Sequence, residues 1–127
     1  MSATRVPLVL GAGSFGTPTS GSRVSDPALV QEFINFCVAH GLRGIDASRI
    51  YGNGTAEKLL GSLDLRGFMR VDTKNFPVNP GDHAQGTLKR AVEESCALLG
   101  PTKSACSTCT HCKHGGISGD LKCSRTG

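Results

Sequence analysis

Apolar positions along the chain fall into two alternating periods. Pro7 to Leu10 is a short apolar run stopped by Gly11, the pattern of a buried strand. Beyond it the period lengthens. Leu29, Val30, Phe33, Ile34, Cys37 and Val38 recur at helical spacing and define one face of a helix. Asp26-Pro27 is a strong start for it, because the Asp carboxylate accepts a first-turn N–H and Pro has no N–H to leave unpaired. Gly41 closes it. Arg43 to Ala47 predicts a second strand with its end near Asp46. Thr55 caps a short helix through Leu60, with Gly61 behind it. Met69 to Thr73 predicts a third strand ending at Lys74. Leu88, Ala91, Val92, Ser95, Cys96 and Leu99 mark one face of a third helix, which Gly100-Pro101 terminates.

The order is β-α-β-α-β-α. Alternation of this kind predicts a parallel sheet covered by helices. A complete eight-fold barrel takes about 250 residues. The expected fold is therefore α/β: the N-terminal three β-α units of a (β/α)8 TIM barrel, incomplete, followed by an irregular C-terminal tail. The boundary falls between residues 1–103 and 104–127.

Composition places that boundary. Residues 1–103 hold two cysteines, Cys37 and Cys96, whereas 104–127 hold four, Cys106, Cys109, Cys112 and Cys123. The tail is rich in Cys, Gly, Ser and Thr, and Ile117 and Leu121 are its only large apolar residues. Such a segment buries too little surface to offset its ordering entropy. Net charge is +4, with 11 basic against 9 acidic residues in the body and 3 against 1 in the tail. There is no basic run and no aromatic interleaving, so nothing argues for a nucleic-acid surface and no nucleic-acid partner is expected. No apolar stretch has the length of a membrane span or of a signal-peptide core, so the expected location is the cytoplasm, with no membrane partner. Oligomeric state is not legible.

Gly11-Ala-Gly-Ser-Phe-Gly16 matches the dinucleotide fingerprint. That motif works only when a helix begins inside it, since the pyrophosphate sits on the helix N-terminus. Here Thr17-Pro-Thr-Ser-Gly-Ser22 follows, which is a loop. The segment reads as a glycine-rich turn from strand to loop.

Asp46, Tyr51 and Lys74 carry the chemistry. In a parallel barrel, catalytic groups sit at the C-terminal ends of strands. Asp46 ends the second strand, Lys74 ends the third, and Tyr51, the chain's one tyrosine, lies in the loop between. A free phenol is a poor proton donor at neutral pH. A neighbouring ammonium stabilises the phenolate, and a carboxylate holds that ammonium in place. The product is a phenol tuned to protonate a carbonyl oxygen as hydride reaches the carbon.

On Pro7–Gly16, Gly44-Ile-Asp-Ala-Ser-Arg-Ile-Tyr-Gly52, Thr55-Ala-Glu-Lys-Leu-Leu-Gly61 and Val71-Asp-Thr-Lys74, the chain resembles the aldo-keto reductase superfamily over residues 5 to about 103. It looks nearest to the branches of aflatoxin aldehyde reductase and aryl-alcohol dehydrogenase, which include fungal members. The resemblance implies Tyr51 as proton donor, Lys74 and Asp46 as its tuning partners, and Asp46 beside the nicotinamide ribose. It implies NADPH as cofactor and a small aldehyde or ketone as substrate, with a role in secondary metabolism suggested by the fungal relatives. The interval from Tyr51 to Lys74 is short for the family and predicts a trimmed second-helix region.

The same resemblance places a fourth strand after Lys103, ending in a histidine that completes the catalytic set. The chain instead reads Ser104-Ala-Cys-Ser-Thr-Cys-Thr-His111. Read one base earlier, the codons allowed for this stretch permit Val-Gly-Met-Leu-Tyr-Leu-His-Ala where that strand is due. Residues 104–127 are therefore expected to be out of frame, and the 127-residue product to be inactive. The alternative is a short non-catalytic product whose tail binds metal through Cys106, Cys109, Cys112 and Cys123. Its thiols are crowded and lack the two separated ligand pairs of a structural zinc site, so no metal ligand is assigned.

Overall fold

The computed structural model describes residues 6–18, 24–65, 69–75, 80, 84–100 and the backbone of 105–109. The elements run β1 (Val9–Gly11), α1 (Pro27–Ala39), β2 (Gly44–Asp46), α2 (Thr55–Ser62), β3 (Arg70–Asn75), α3 (Gln85–Leu99) and β4 (Ala105–Cys109). The strands form one sheet in the order β1-β2-β3-β4, every neighbouring pair parallel. Sequential order with parallel pairing is what right-handed β-α-β crossovers build, with each helix returning the chain to the next strand.

Local chemistry fixes α1 as expected. The Asp26 carboxylate accepts from the Ala28 N–H at 2.9 Å, Pro27 occupies the first turn, and Gly41 at φ +89° turns the chain beyond the helix. Val30, Ile34 and Cys37 point into the core. Leu29 and Phe33, on the same predicted stripe, stay 54% and 45% exposed. The stripe is wider than the sheet available to cover it.

Strand side chains alternate between two faces. On one, Ile45, Ala47, Val71 and Thr73 are buried together with Leu59, Leu60 and Leu99 from the helices. Burying each large apolar side chain here contributes about 1.5–3 kcal/mol. On the other face lie Gly44, Asp46, Asp72 and Lys74, less buried and mostly charged. The sheet thus has an apolar helix-covered side and a polar open side.

Three expectations are corrected. β1 is not buried: Leu8 and Val9 are 66% and 55% exposed, because among the described residues β1 is the outer strand of the sheet and pairs with β2 alone. Gly61 does not terminate α2 but lies inside it, where the absence of a side chain lets the α3 backbone at Leu98 approach. The tail is not irregular from its start. Ala105–Cys109 extends beside β3, with Val71 opposite Ala105 and Asn75 opposite Cys109. Small residues carry no apolar alternation, so periodicity does not reveal this strand. The open edge of β3 offers unpaired main-chain groups that any extended segment satisfies. Residues 110–127, with Cys112 and Cys123, lie outside the described residues.

Candidate active site

Three side chains converge at the C-terminal ends of β2 and β3. Asp46 closes β2 and stands opposite Asp72, so Lys74 lies two residues further along the same open face. Lys74 Nζ donates to Asp46 Oδ1 at 2.7 Å, to Asp46 Oδ2 at 2.6 Å and to the Ala47 carbonyl at 3.2 Å. Tyr51 leaves the loop after β2. Its hydroxyl donates to Asp46 Oδ2 across 3.4 Å, and the Lys74 ammonium stands 4.9 Å from its ring centroid. The structure therefore brings together all three residues singled out in the sequence.

The turn that delivers Tyr51 explains its glycines. Gly52, Asn53 and Gly54 have φ of 55°, 53° and 85°, three successive left-handed residues. Glycine carries no steric penalty there, and Asn is among the side chains that best tolerate it. Thr55 then opens α2, its hydroxyl donating to the Gly52 carbonyl at 2.6 Å. Gly13 backs the phenol: a Cβ built on it would meet the ring at 3.8 Å. The glycine-rich segment therefore lies against Tyr51, and no helix begins within Gly11–Gly16.

Burial works against the Lys74 ammonium, but the hydrogen bonds it donates to Asp46, its hydrogen bonding with Tyr51, and the charge of both partners more than reverse it. The Lys74 pKa therefore stands above its ordinary value. The sign of the linkage follows. A raised native pKa contributes stability that is complete below the unfolded value of 10.5 and is lost as pH rises through the native value. Urea midpoints of the parent chain should fall more steeply than those of Lys74→Met above about pH 10. Parallel pH profiles for the two proteins would show that the Asp46 pair adds nothing to stability.

Periodicity missed the groups behind the cluster. Ser48, buried, donates from Oγ to the Lys74 carbonyl at 3.0 Å. Glu57 is fully buried and lies between Arg49 and Thr73. In sequence, Glu57 is only an acidic residue in a helix first turn, which reads as a dipole partner on a solvated face. A cavity of about 240 Å³, lined by Arg49, Lys58 and Leu98 among others, lies on the helix side and touches none of Asp46, Tyr51 and Lys74. The cluster faces the open side of the sheet. Among the described residues, no group of three or more His, Cys, Asp or Glu side chains is arranged to hold a metal ion. The side chains of Cys106, Cys109, Cys112 and Cys123 lie outside that set. Cys37 is buried, and burial pushes its thiol pKa up, which disfavours the thiolate.

Comparison with known proteins matches residues 7–103 to the model of the Aldo/keto reductase family. Aldo-keto reductase pigE of Monascus ruber is 42% identical over 66 residues, which cover 50% of this chain and 19% of that protein. Oxidoreductase sirO of Leptosphaeria maculans is 28% identical over 97 residues, 73% of this chain and 30% of that protein. Among solved structures, PA4992 from Pseudomonas aeruginosa, assigned to the aldo-keto reductases, superposes with a TM-score of 0.61 at 23% identity, covering 80% of this chain and 41% of that one. The thermostable aldo-keto reductase Tm1743, solved with the inhibitor epalrestat, gives 0.51 at 21%, covering 77% and 36%. At these identities the structures speak to fold alone. The chain spans about a fifth to two fifths of the length of these relatives.

Proposed function

Because the chain belongs to the aldo/keto reductase family, we propose that Asp46, Tyr51 and Lys74 form the proton-donating end of an NADPH-dependent carbonyl reductase site. The observation that carries this is the convergence of Asp46, Lys74 and Tyr51, with two Nζ–Oδ contacts of 2.7 Å and 2.6 Å and the phenol on the same carboxylate.

The geometry supports a role for each residue. Tyr51 holds the transferable proton on its hydroxyl and gives it to the carbonyl oxygen of an aldehyde or ketone. Lys74 stabilises the phenolate left behind. Asp46 fixes the ammonium and keeps it charged. A carboxylate has about four acceptor positions, and Lys74 and Tyr51 leave Asp46 room for one ribose hydroxyl. Its side chain is 46% exposed on the open face, so the donor chemistry fits a nicotinamide ribose there. The cofactor supplies hydride when bound. As substrate class we propose a carbonyl intermediate of secondary metabolism, a reading motivated by the fungal origin of the relatives alone.

We further propose that residues 104–127 are out of frame, that residues 1–127 by themselves are inactive, and that the protein is cytoplasmic. Sequencing the transcript from the Leu99 codon past the Thr110 codon tests the first point. A one-base shift or retained intron leading into a frame that reads Tyr-Leu-His and continues for a further half-barrel or more is the expected result. An intact frame ending after Gly127 would overturn it. Incubating the purified chain with NADPH and an aromatic aldehyde tests the second. No stoichiometric binding and no carbonyl-dependent loss of NADPH absorbance are expected, and either signal would refute inactivity.

A further inference from the structure

Glu57 is a fully buried carboxylate with no part in the chemistry above. Both of its oxygens are used. Thr73 Oγ1 donates to Oε1 at 2.6 Å, and Arg49 Nη1 donates to Oε2 at 3.3 Å. Arg49 Nη2 also pairs with Glu94 of α3 at 2.5 Å. A buried charge is expensive unless paired and hydrogen-bonded. Its two partners show what holding it there achieves.

Thr73 immediately precedes Lys74 on β3 and points to the opposite face of the sheet. Arg49 lies in the loop that joins Asp46 to Tyr51, and its own N–H donates to the Lys74 carbonyl at 3.0 Å. One carboxylate on α2 therefore grips the residue before Lys74 and the residue whose main chain bonds Lys74. It ties the exit of β2 to the end of β3 from behind, at the level where Asp46 and Lys74 meet in front. A slip of an ångström between those strand ends would break the Nζ–Oδ contacts on the open face.

We infer that Glu57 is a positioning residue, which acts through Thr73 and Arg49 to hold Asp46, Tyr51 and Lys74 in register. The purpose of that register rests on the reductase reading, but its measurement does not. Neither cofactor nor substrate enters the test, so a failed reductase assay and a failed positioning test are separate results.

The experiment uses the 127-residue chain labelled with 15N and with 13C at lysine. Amide exchange is followed at Arg49, which bonds the Lys74 carbonyl, and at Val30 of α1, which lies outside the network. The 13Cε shift of Lys74, assigned by its loss in Lys74→Arg, is titrated at high pH, where it reports the pairing of the ammonium with Asp46 and Tyr51. Glu57→Met removes the acceptor of Thr73 Oγ1 and of Arg49 Nη1, and leaves Arg49 only its pair with Glu94 among these contacts. Arg49 exchange should quicken about tenfold or more relative to Val30, since local opening and global unfolding are separate events. The Lys74 midpoint should fall toward the ordinary lysine value. Glu57→Gln, which keeps an acceptor of the same size, should restore most of both. Thr73→Val removes one donor with little change of shape and should shift both readouts in the same direction, so it decides the matter if Glu57→Met does not fold. Val30→Ala, a core cavity away from the network, should quicken exchange generally and leave the Lys74 titration where it was. A folded Glu57→Met or Thr73→Val with Arg49 and Lys74 unchanged overturns the inference. So does uniform loss of protection with an unmoved Lys74 midpoint, which is the mark of a merely structural role.

Discussion

Gly61→Ala is expected to destabilise the chain by about 2 kcal/mol or more, despite alanine's helix propensity advantage of about 1 kcal/mol over glycine. Gly61 lies within α2 at the crossing with α3, and a Cβ built there would collide with the Leu98 carbonyl oxygen and stand 3.0 Å from the Leu98 carbonyl carbon. Those are backbone atoms, so no rotamer change relieves the clash and the helices must separate. Overpacking usually costs about 1–3 kcal/mol, and rigid neighbours place this case at or beyond the top of the range. Leu60 and Leu99, both fully buried beside the crossing, would lose contact as the helices part. Gly86 in α3 is the internal control, since a Cβ there meets nothing within 4 Å. Gly86→Ala should be neutral or stabilising by up to about 1 kcal/mol. Urea unfolding followed by helical circular dichroism checks both. Equal midpoints for Gly61→Ala and the parent would mean that the α2–α3 crossing is not as close as described.

That crossing also marks the limit of what patterning conveys. A glycine after a short apolar run reads as a helix stop, because sequence shows a missing side chain and not the neighbour that needs it missing. The α1 cap was legible for the opposite reason: Asp26 and Pro27 act on their own helix, within a few residues of chain. Strand existence was legible at β2 and β3, where Ile45, Ala47 and Val71 carry the apolar signal. β4 was not, because Ala105–Cys109 holds no large apolar residue and owes its pairing to the open edge of β3. The site follows the same division. Asp46, Tyr51 and Lys74 stand at strand ends and in the intervening loop, positions that the element order predicts. Glu57 and Thr73 meet only through packing, and a buried Glu has the same letter as a solvated one.

The two faces of the sheet relate these observations to function. On the helix-covered face Thr73 is a buried polar residue beside Ile45, Ala47 and Val71, and it is where Glu57 binds the sheet. The open face is charged, and its charges are paired: Arg70 with Asp72 at 2.6 Å and Lys74 with Asp46 at 2.6 Å. Replacing Arg70 should matter less than replacing Lys74. Its side chain is 65% exposed, and exposed pairs contribute about 0–1 kcal/mol. Lys74 is 23% exposed and is held by three acceptor atoms.

In the full-length reductase proposed above, Tyr51→Phe is expected to lower kcat by about 100- to 10,000-fold, the usual range for loss of a positioned general acid. The substitution removes one oxygen and leaves the ring, so its packing beside Gly13 and the geometry of the Gly52–Gly54 turn stay as they are. No other side chain described here can take over the proton. Lys74 donates to three acceptors already, and Asp46 is the acceptor for both partners. Lys74→Met should also lower kcat, because the phenolate formed on proton transfer would then face the Asp46 carboxylate with no cation between them. The two losses should not add in the double variant, since both remove the same stabilised phenolate. Steady-state NADPH oxidation with an aromatic aldehyde measures all three variants. Fully additive losses would place Tyr51 and Lys74 in separate steps, and Tyr51→Phe retaining more than about a tenth of the parent kcat would remove Tyr51 as the proton donor.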